Sequence, residues 1–357
     1  MTRIAGARVI PYDLALARPW RTSGGEAARR RGWLVEMCDT DGVLGYGDYV
    51  LPPHQDRPAG EEEMLLSAAA RLPGREAGAA AAVFSVSAPP LWALECALFD
   101  LQARRKGVPL GRWLSSDAAP SVSVNAVAAL DDRVIASGWP VIKVKVGRAG
   151  PEEEAALLHR LPIPAGSLLR LDANCAWSFD QAALFLDLVA DLPVDSLEEP
   201  LSEPTLASLA LLQERTAIDI AVDESLPVLD AEALLSDKPV RRLVLKAGTV
   251  GGLRAGSRLA ARARASGLGV VITTALDSAI GVAAAAHWAA AAGSRDLAHG
   301  LATSDWLAED VARPLPVAAG RVTLEGCLGL GVTPFAGNSR ASGERHRPAG
   351  SSDFDRH

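Results

Sequence analysis

The sequence has little of the chemistry on which several protein classes depend. Its four cysteines are scattered among 357 residues without CxxC spacing, so neither a zinc cluster nor a disulfide framework is predicted. No stretch is long and uncharged enough to span a bilayer, and the first twenty residues lack the continuous apolar core of a signal peptide. These absences predict a cytoplasmic protein with no membrane contact.

Basic residues and dinucleotide-binding glycines are also scarce. Lysine and arginine number 36 against 43 acidic residues, and the resulting net charge of -7 argues against a nucleic-acid partner. No Gly-rich fingerprint follows a predicted strand, which disfavours a doubly wound dinucleotide-binding sheet. Hydrophobic side chains make up 49% of the chain, enough to bury the cores of one large domain and a smaller one.

The first hundred or so residues have the pattern of a small α+β domain. Alternating apolar and polar residues, typical of half-buried strands, occur in three segments: 7–16, 32–42 and 43–51. Asp41-Gly42 between the last two is a hairpin signal. Helical periodicity follows in two segments: 61–71 and 91–105.

From about Ser121 the chain repeats a short β-branched strand followed by an alanine- and leucine-rich helix. Eight strands are predicted, at SVSVNAV, VIKVKVG, LLRLDAN, VDSLEEP, DIAVDES, RRLVLKA, GVVITTA and DLAHGLA. Polar marker residues at successive strand ends lie 23 to 27 positions apart: Lys145, Asp172, Glu198, Asp223, Lys246 and Thr273. This spacing fits the βα units of a (β/α)8-type barrel, in which chemistry lies at the carboxyl ends of the strands.

Three of these strands end in carboxylates, within the runs RLDAN, LEEP and VDES. Asp172 ends the first, and Arg170 points the same way because side chains alternate along a strand. Neighbouring acids cannot both face inward, which leaves one inward acid in each of two pairs: Glu198 or Glu199, and Asp223 or Glu224. Three carboxylates with room for water and substrate oxygens suit Mg²⁺ better than zinc. The structural alternative is that each acid caps a helix or pairs with an arginine.

Lysines flank these acids on both sides. Lys143 and Lys145 share a strand face, where like charges and a nearby divalent cation are expected to lower the pKa of one of them. Such a lysine is a competent general base. Lys246 is expected across the barrel from Lys145, with the substrate between them. The alternative is that the lysines only form salt bridges with the acids, since buried lysine is rare unless it is paired.

The runs KVK, LDAN, LEEP, VDES and LVLK, in this order and spacing, resemble the enolase superfamily in its muconate lactonizing enzyme subgroup. Within the subgroup the chain is most similar to the o-succinylbenzoate synthase family. The resemblance extends to about Pro334 and implies an α/β fold, a modified (β/α)7β TIM barrel with an α+β capping domain. The predicted divisions are a cap, a barrel, a return of the chain to the cap and a disordered, apolar-poor tail: 1–105, 106–312, 313–335 and 336–357.

The resemblance also implies roles for individual residues. Three acids are implied as ligands of Mg²⁺, with Mn²⁺ as a substitute: Asp172, Glu198 and Asp223. Lys145 is implied as the general base that removes the proton α to the substrate carboxylate, and Lys246 as a cation against the substrate ring. Lys143 is expected to support Lys145, and Arg170 to orient it. Contacts to the substrate tail are expected from four residues: Thr273, Thr274, Ser278 and Gly300.

The implied reaction is the syn dehydration of 2-succinyl-6-hydroxy-2,4-cyclohexadiene-1-carboxylate to 2-succinylbenzoate in menaquinone biosynthesis, with a small-molecule carboxylate as the partner. Racemisation of N-succinylamino acids by the same two lysines stays open, as do the epimerase and cycloisomerase reactions of the subgroup. A Schiff-base aldolase also uses a lysine at a strand end, but it does not need three aligned acids. A non-catalytic barrel is the remaining alternative, and the sequence does not distinguish a monomer from a homo-oligomer.

Overall fold

A computed structural model describes residues 2–22, 25–52, 55, 59–84 and 88–336. The predicted disordered tail lies outside these residues, apart from Ala336. Within the described ranges, none of the helices combines the length and the apolar character needed to cross a membrane.

The amino-terminal part is a three-stranded antiparallel sheet with two helices. The strands, in sheet order, are β1 (Ile4–Thr22), β2 (Gly25–Asp39) and β3 (Leu44–Val50). The helices are α1 (Glu61–Ala70) and α2 (Ala88–Lys106), with a 3₁₀ turn at Ala80–Val83 between them. The predicted hairpin is confirmed, because Asp39 Oδ1 accepts hydrogen bonds of 2.9 Å from the N–H groups of Asp41 and Val43. Gly42 supplies the positive φ, 82°, that the turn requires.

The larger part is a curled sheet of seven parallel strands surrounded by helices. The strands are β5 (Ala126–Ala128), β6 (Val141–Lys145), β7 (Leu168–Asp172), β8 (Val194–Glu198), β9 (Asp219–Val222), β10 (Arg242–Lys246) and β11 (Gly269–Thr273). The helices are α3 (Leu110–Leu114), α4 (Pro151–Leu158), α5 (Phe179–Leu188), α6 (Leu206–Glu214), α7 (Ala231–Asp237), α8 (Leu253–Ala265) and α9 (Ala279–Ala292). The predicted modified TIM barrel with an α+β cap is confirmed.

Two predicted barrel strands differ from the structure. SVSVNAV divides: β4 (Ser121–Ser123) joins β12 (Val317–Ala318) and β13 (Arg321–Thr323) in a separate small sheet, and only β5 enters the barrel. The eighth segment, 296–302, closes the barrel through isolated bridges of His299 to Val124 and of Gly300 to Thr273. The pairing stops there because the N–H of Leu301 turns back to the carbonyl of His299, at 3.0 Å.

Helix α9 joins the barrel to the cap. It is rich in alanine, and nearly all of its residues are buried. Small alanine side chains allow neighbouring elements to approach on all sides, and the larger residues of the helix fill specific contacts. Trp288 packs edge-on against Trp92 of α2 with ring centroids 5.2 Å apart, and His287 Nδ1 accepts a hydrogen bond from the N–H of Gly111 at 3.1 Å.

A buried polar cluster also crosses the boundary between cap and barrel. Asp48 of β3 accepts hydrogen bonds from Tyr12 Oη (2.7 Å) and from Ser278 Oγ and N (2.8 and 3.1 Å). Burial, together with the neighbouring Asp277, raises the pKa of Asp48. The cap is therefore held at the amino end of α9 by hydrogen bonds as well as by packing.

The carboxyl-terminal segment returns to α2. Leu330 N donates to Asp100 Oδ1 at 2.7 Å, and Arg104 Nη2 donates to the carbonyl of Val332 at the same distance. Burial raises the pKa of Asp100 to about 6, although Arg104 acts against this. The exact domain boundaries given above stay predictions.

Candidate active site

The marker residues predicted from the sequence lie at the carboxyl end of the barrel, each as the last residue of its strand or the residue after it. Strand register places Lys145 beside Asp172 and Asp172 beside Glu198. All three line a cavity of about 890 Å³ that extends to cap residues such as Trp20 and Tyr49. The sheet ladder therefore sets the positions of the base candidate and two of the acids.

Three acids form a cluster at the barrel mouth, of which two are buried and Glu224 is exposed. Oxygens of Glu198, Asp223 and Glu224 lie within 4.8 Å of one another. Asp172 is connected to them through Lys143, whose Nζ lies 2.9 Å from Asp172 Oδ2 and 2.8 Å from Glu198 Oε2. Glu198 Oε1 is buried and has no hydrogen-bond partner among the described residues. A buried carboxylate oxygen without a partner is costly, and an all-oxygen donor set of this kind fits Mg²⁺.

The second acid has a different position in each of the two pairs, Glu198–Glu199 and Asp223–Glu224. Glu199, with a φ of 44°, turns from the cluster and accepts hydrogen bonds from the N–H groups of Asp223 and Ser225, the latter at 2.8 Å, and from the Ser225 hydroxyl. It therefore supports the loop after β9, and burial raises its pKa. Glu224, which the sequence analysis left without a role, lies with Glu198 and Asp223 at the mouth.

The sequence predicts a lowered pKa for one lysine of the pair, and Lys143 is not that lysine. Burial acts to lower the pKa of this group, but Asp172 and Glu198 outweigh burial and raise it. Both carboxylates contact the amine directly, at 2.9 and 2.8 Å, so their charges determine the direction of the shift. Lys143 thus holds the two acids together.

Lys145 and Lys246 occupy different surroundings. Lys145 Nζ donates to Asn174 Oδ1 at 2.6 Å and lies 3.7 Å from Asp172 Oδ2. Lys246 Nζ lies 2.5 Å from Asp223 Oδ2 and 3.1 Å from Glu224 Oε1. Burial acts to lower the pKa of Lys246, and the two carboxylates raise it.

Asn174 was quoted in the LDAN motif but received no role. Its Nδ2 donates to Glu224 Oε1 at 3.3 Å, the oxygen that also accepts from Lys246. Its φ of 45° is a left-handed conformation, which asparagine tolerates better than most residues. The sequence contained one signal for this role. An asparagine, which tolerates such a backbone, stands two positions after the acid that ends the strand.

Glu154 was also missed. This buried acid of α4 accepts hydrogen bonds from three successive N–H groups, those of Gly147, Arg148 and Ala149, at 2.6, 2.8 and 3.2 Å. It fixes the loop that follows Lys145. In the sequence, Glu154 is one of several acids in the first turn of α4. Acids are common there because they interact favourably with the helix dipole, so the pattern did not indicate this role.

The remaining predicted site residues divide into two groups. Thr273, Thr274 and Gly300 line the cavity. Ser278 contacts Asp48 at the boundary between cap and barrel. Arg170 is buried below the mouth, where its hydrogen bonds go to the carbonyl of Ala298 (2.7 Å) and to Asp195 (3.0 Å) and not to Lys145.

The outer cavity wall is aromatic and carries two arginines. Trp20, Trp92 and Trp306 line it, and the guanidinium carbon of Arg18 lies 3.8 Å from the ring centroid of Trp306. Arg148 lines the same space. Neither arginine forms an ion pair within the part of the chain that the structure describes. The wall therefore offers apolar area together with unpaired positive charge.

Residues 125–336 match the family described as Enolase C-terminal domain-like. The chain belongs to the enolase superfamily, in the muconate lactonizing enzyme subgroup. Membership of this superfamily indicates that the protein is an enzyme, as the acids and lysines at the strand ends predicted.

Among curated enolase-superfamily relatives, a hydrophobic dipeptide epimerase of Citrifermentans bemidjiense is 29% identical over 83% of this chain and 85% of its own length. A chloromuconate cycloisomerase of Cupriavidus pinatubonensis is 32% identical over 54% of the chain, and an o-succinylbenzoate synthase of Mycobacterium bovis is 36% identical over the same share. These two matches span 56% and 60% of the relatives' own lengths, less than two thirds.

Solved structures agree in fold over nearly the whole chain. Muconate lactonizing enzyme from Pseudomonas fluorescens superposes with a TM-score of 0.81 at 23% identity, covering 94% of this chain and 97% of that one. The L-Ala-D/L-Glu epimerase from Bacillus subtilis gives a TM-score of 0.82 at 20% identity, with coverage of 94% and 99%.

Proposed function

We propose that this enzyme is an o-succinylbenzoate synthase that dehydrates 2-succinyl-6-hydroxy-2,4-cyclohexadiene-1-carboxylate to 2-succinylbenzoate. The observation that carries the proposal is the placement of Lys145 and Lys246 beside an acidic cluster at the mouth of a large cavity. The 36% identity to a mycobacterial synthase supports it, although over part of each chain.

Asp172, Glu198 and Asp223 would hold the Mg²⁺ ion, and Glu224 lies close enough to join them. When bound, the ion supplies positive charge beside the substrate carboxylate, where negative charge develops as the α proton leaves. The unpartnered Glu198 Oε1 supports this assignment. Lys143 pairs with both Asp172 and Glu198 and keeps these two acids together.

Lys145 acts as the base in this proposal. Its amine takes the proton from the carbon next to the carboxylate, and the same proton then leaves with the hydroxyl group of the neighbouring ring carbon as water. One base on one face of the ring is sufficient for this syn elimination. Lys246, held by Asp223 and Glu224, remains an ammonium group against the opposite face of the ring.

The cavity wall supports a substrate with a second carboxylate. Arg18 and Arg148 line the cavity without ion pairs among the described residues, and guanidinium groups bind carboxylates with two parallel hydrogen bonds. The succinyl tail would extend toward them past Thr273, Thr274 and Gly300. The tryptophans give the carbocyclic ring an apolar surface.

A second candidate is the racemisation or epimerisation of an N-succinylamino acid or a related compound. It is favoured by two lysines that approach the acidic cluster from different strands, and by the epimerase relative that matches 83% of the chain. In a two-base reaction both lysines must exchange protons with the substrate. Lys246 therefore has a different role in each proposal.

The deciding experiment gives the purified enzyme the cyclohexadiene substrate and an N-succinylamino acid side by side, with and without Mg²⁺. Lys246→Arg keeps the positive charge but removes a group that readily exchanges a proton. We expect Mg²⁺-dependent dehydration that Lys145→Ala abolishes and Lys246→Arg retains in part. Racemisation alone, lost in both variants, would replace the dehydratase with the second candidate.

A further inference from the structure

A second cavity, of about 410 Å³, lies at the amino-terminal ends of the barrel strands, away from the active-site mouth. Its walls come from residues 117–123, which lead into the barrel, and from the chain between α9 and the eighth segment. Its floor is buried and includes Val122, Ala289 and His299. The cavity has no role in the chemistry proposed above.

Three arginines line this space: Arg112, Arg295 and Arg321. We call it the arginine cavity. Asp117 is the acidic residue that lines it within the described chain, and it pairs with Arg295 Nη2 at 3.1 Å. The lining therefore carries two more positive than negative charges, in a protein whose net charge is -7. Such a local reversal of sign attracts anions.

Most of the donor capacity of these arginines is unused. Among the described residues, Arg112 donates to the carbonyl of Ser116, Arg321 Nη2 donates to Ser121 Oγ at 2.7 Å, and Arg295 donates to Asp117. Each guanidinium has five N–H groups, so most of them have no protein acceptor among the described residues. The histidine in the floor adds no charge, because burial lowers the pKa of His299 to about 3.

Three guanidinium groups that line one cavity concentrate positive charge there, which a multiply charged anion would neutralise. The planar arginine fork matches phosphate oxygens in pairs. The cavity also has the volume of a small-ligand site and exceeds what a single phosphate fills. We propose that the arginine cavity binds a phosphate compound with two linked phosphate groups, either inorganic pyrophosphate or the diphosphate of a nucleotide.

Calorimetry on the full-length protein tests this in EDTA, which keeps metal out of the active site. Inorganic pyrophosphate, ADP and inorganic phosphate are titrated separately. We expect one site per chain that binds pyrophosphate or ADP at least about tenfold more tightly than phosphate and weakens as NaCl is raised. Tighter binding of ADP than of pyrophosphate identifies a nucleotide ligand, and the reverse identifies the inorganic ion.

Variants assign the binding to this cavity. Arg295→Ala and Arg321→Ala should each weaken pyrophosphate binding by about tenfold or more. Arg241→Ala is the matched control, because Arg241 is similarly exposed (52% against 56% for Arg295) and pairs with Asp219 at 3.2 Å. It should change the affinity by less than about twofold. Absence of binding at millimolar pyrophosphate, or equal weakening by Arg241→Ala, overturns the proposal.

Discussion

Lys145 and Lys246 are linked by a chain of three hydrogen bonds across the barrel mouth. Lys145 donates to Asn174 at 2.6 Å, Asn174 donates to Glu224 at 3.3 Å, and Lys246 donates to the same Glu224 oxygen at 3.1 Å. The two amines are thus positioned together, although they lie on strands 101 residues apart in sequence. This series of hydrogen bonds depends on Asn174, because its side-chain amide accepts a hydrogen bond from Lys145 and donates one to Glu224.

Asn174→Ala should lower kcat by about tenfold to a hundredfold, because Lys145 loses the group that orients it. KM should change little, since the cavity wall is intact. Asn174→Asp is the matched variant: it keeps an acceptor for Lys145 and a side chain that tolerates the left-handed φ of 45°. Steady-state kinetics should show a smaller loss of kcat in Asn174→Asp than in Asn174→Ala. Equal losses in both variants would show that the hydrogen bond donated to Glu224, and not the acceptor for Lys145, is responsible.

Mg²⁺ should stabilise the folded protein through Glu198. Ligand at a hundredfold excess over Kd contributes about 2.7 kcal/mol, which raises the melting temperature by several degrees. Glu198→Gln removes the charge next to the unpartnered oxygen and should abolish most of this rise. Glu214→Gln, at an exposed position, should retain it. The melting temperature is measured over a range of Mg²⁺ concentrations. An undiminished rise of the melting temperature in Glu198→Gln would count against the metal assignment.

The protein should lose stability in mild acid partly through His287. Burial lowers the pKa of His287 to about 4, whereas a histidine in the unfolded chain has a pKa near 6.5. Between these values the unfolded chain binds the additional proton, so the free energy of unfolding falls as pH drops from about 6.5 toward 4.

His287→Asn keeps an acceptor for the N–H of Gly111 and removes this titration. Urea unfolding at pH 7 and pH 5 should show a loss for the parent that exceeds the loss for the variant by about 2 kcal/mol. His159→Asn, at an exposed histidine, serves as the control and should follow the parent. A loss in His287→Asn as large as in the parent would rule out this origin.

Trp288→Ala should destabilise the whole molecule by about 3 to 5 kcal/mol, because Trp288 is fully buried against Trp92 and Ser257. The control is Val134→Ala, at a side chain that is 83% exposed and should have almost no effect. Denaturant titrations followed by far-UV circular dichroism measure both. A loss below about 1 kcal/mol for Trp288→Ala would mean that the cap and α9 pack less tightly than the structure indicates.

The strand ends were predictable because they depend on local rules. A barrel strand followed by a helix has a nearly fixed length, so polar residues at intervals of 23 to 27 positions identified the mouth. Alternation along a strand then placed Lys143 and Lys145 on one face. The family resemblance added the seven-helix variant and the cap.

What the sequence did not predict depends on partners that are distant in the chain. Arg170 contacts Ala298, 128 residues away, and no periodicity identifies that carbonyl. The bridge through Asn174 requires a left-handed backbone that brings its amide between Lys145 and Glu224. The eighth segment has a strand-like composition, but the turn at Leu301 limits its pairing to two bridges.

The register that aligns Lys145, Asp172 and Glu198 limits how this gene can change. Side chains alternate along each strand, so the insertion or deletion of a single residue within β6, β7 or β8 would rotate its functional group from the mouth to the helical layer. A substitution changes one side chain and leaves this alignment in place, whereas a change in strand length alters it for every residue that follows in the strand. Length variation must therefore collect in the loops and the cap, where it alters substrate fit without moving the acids.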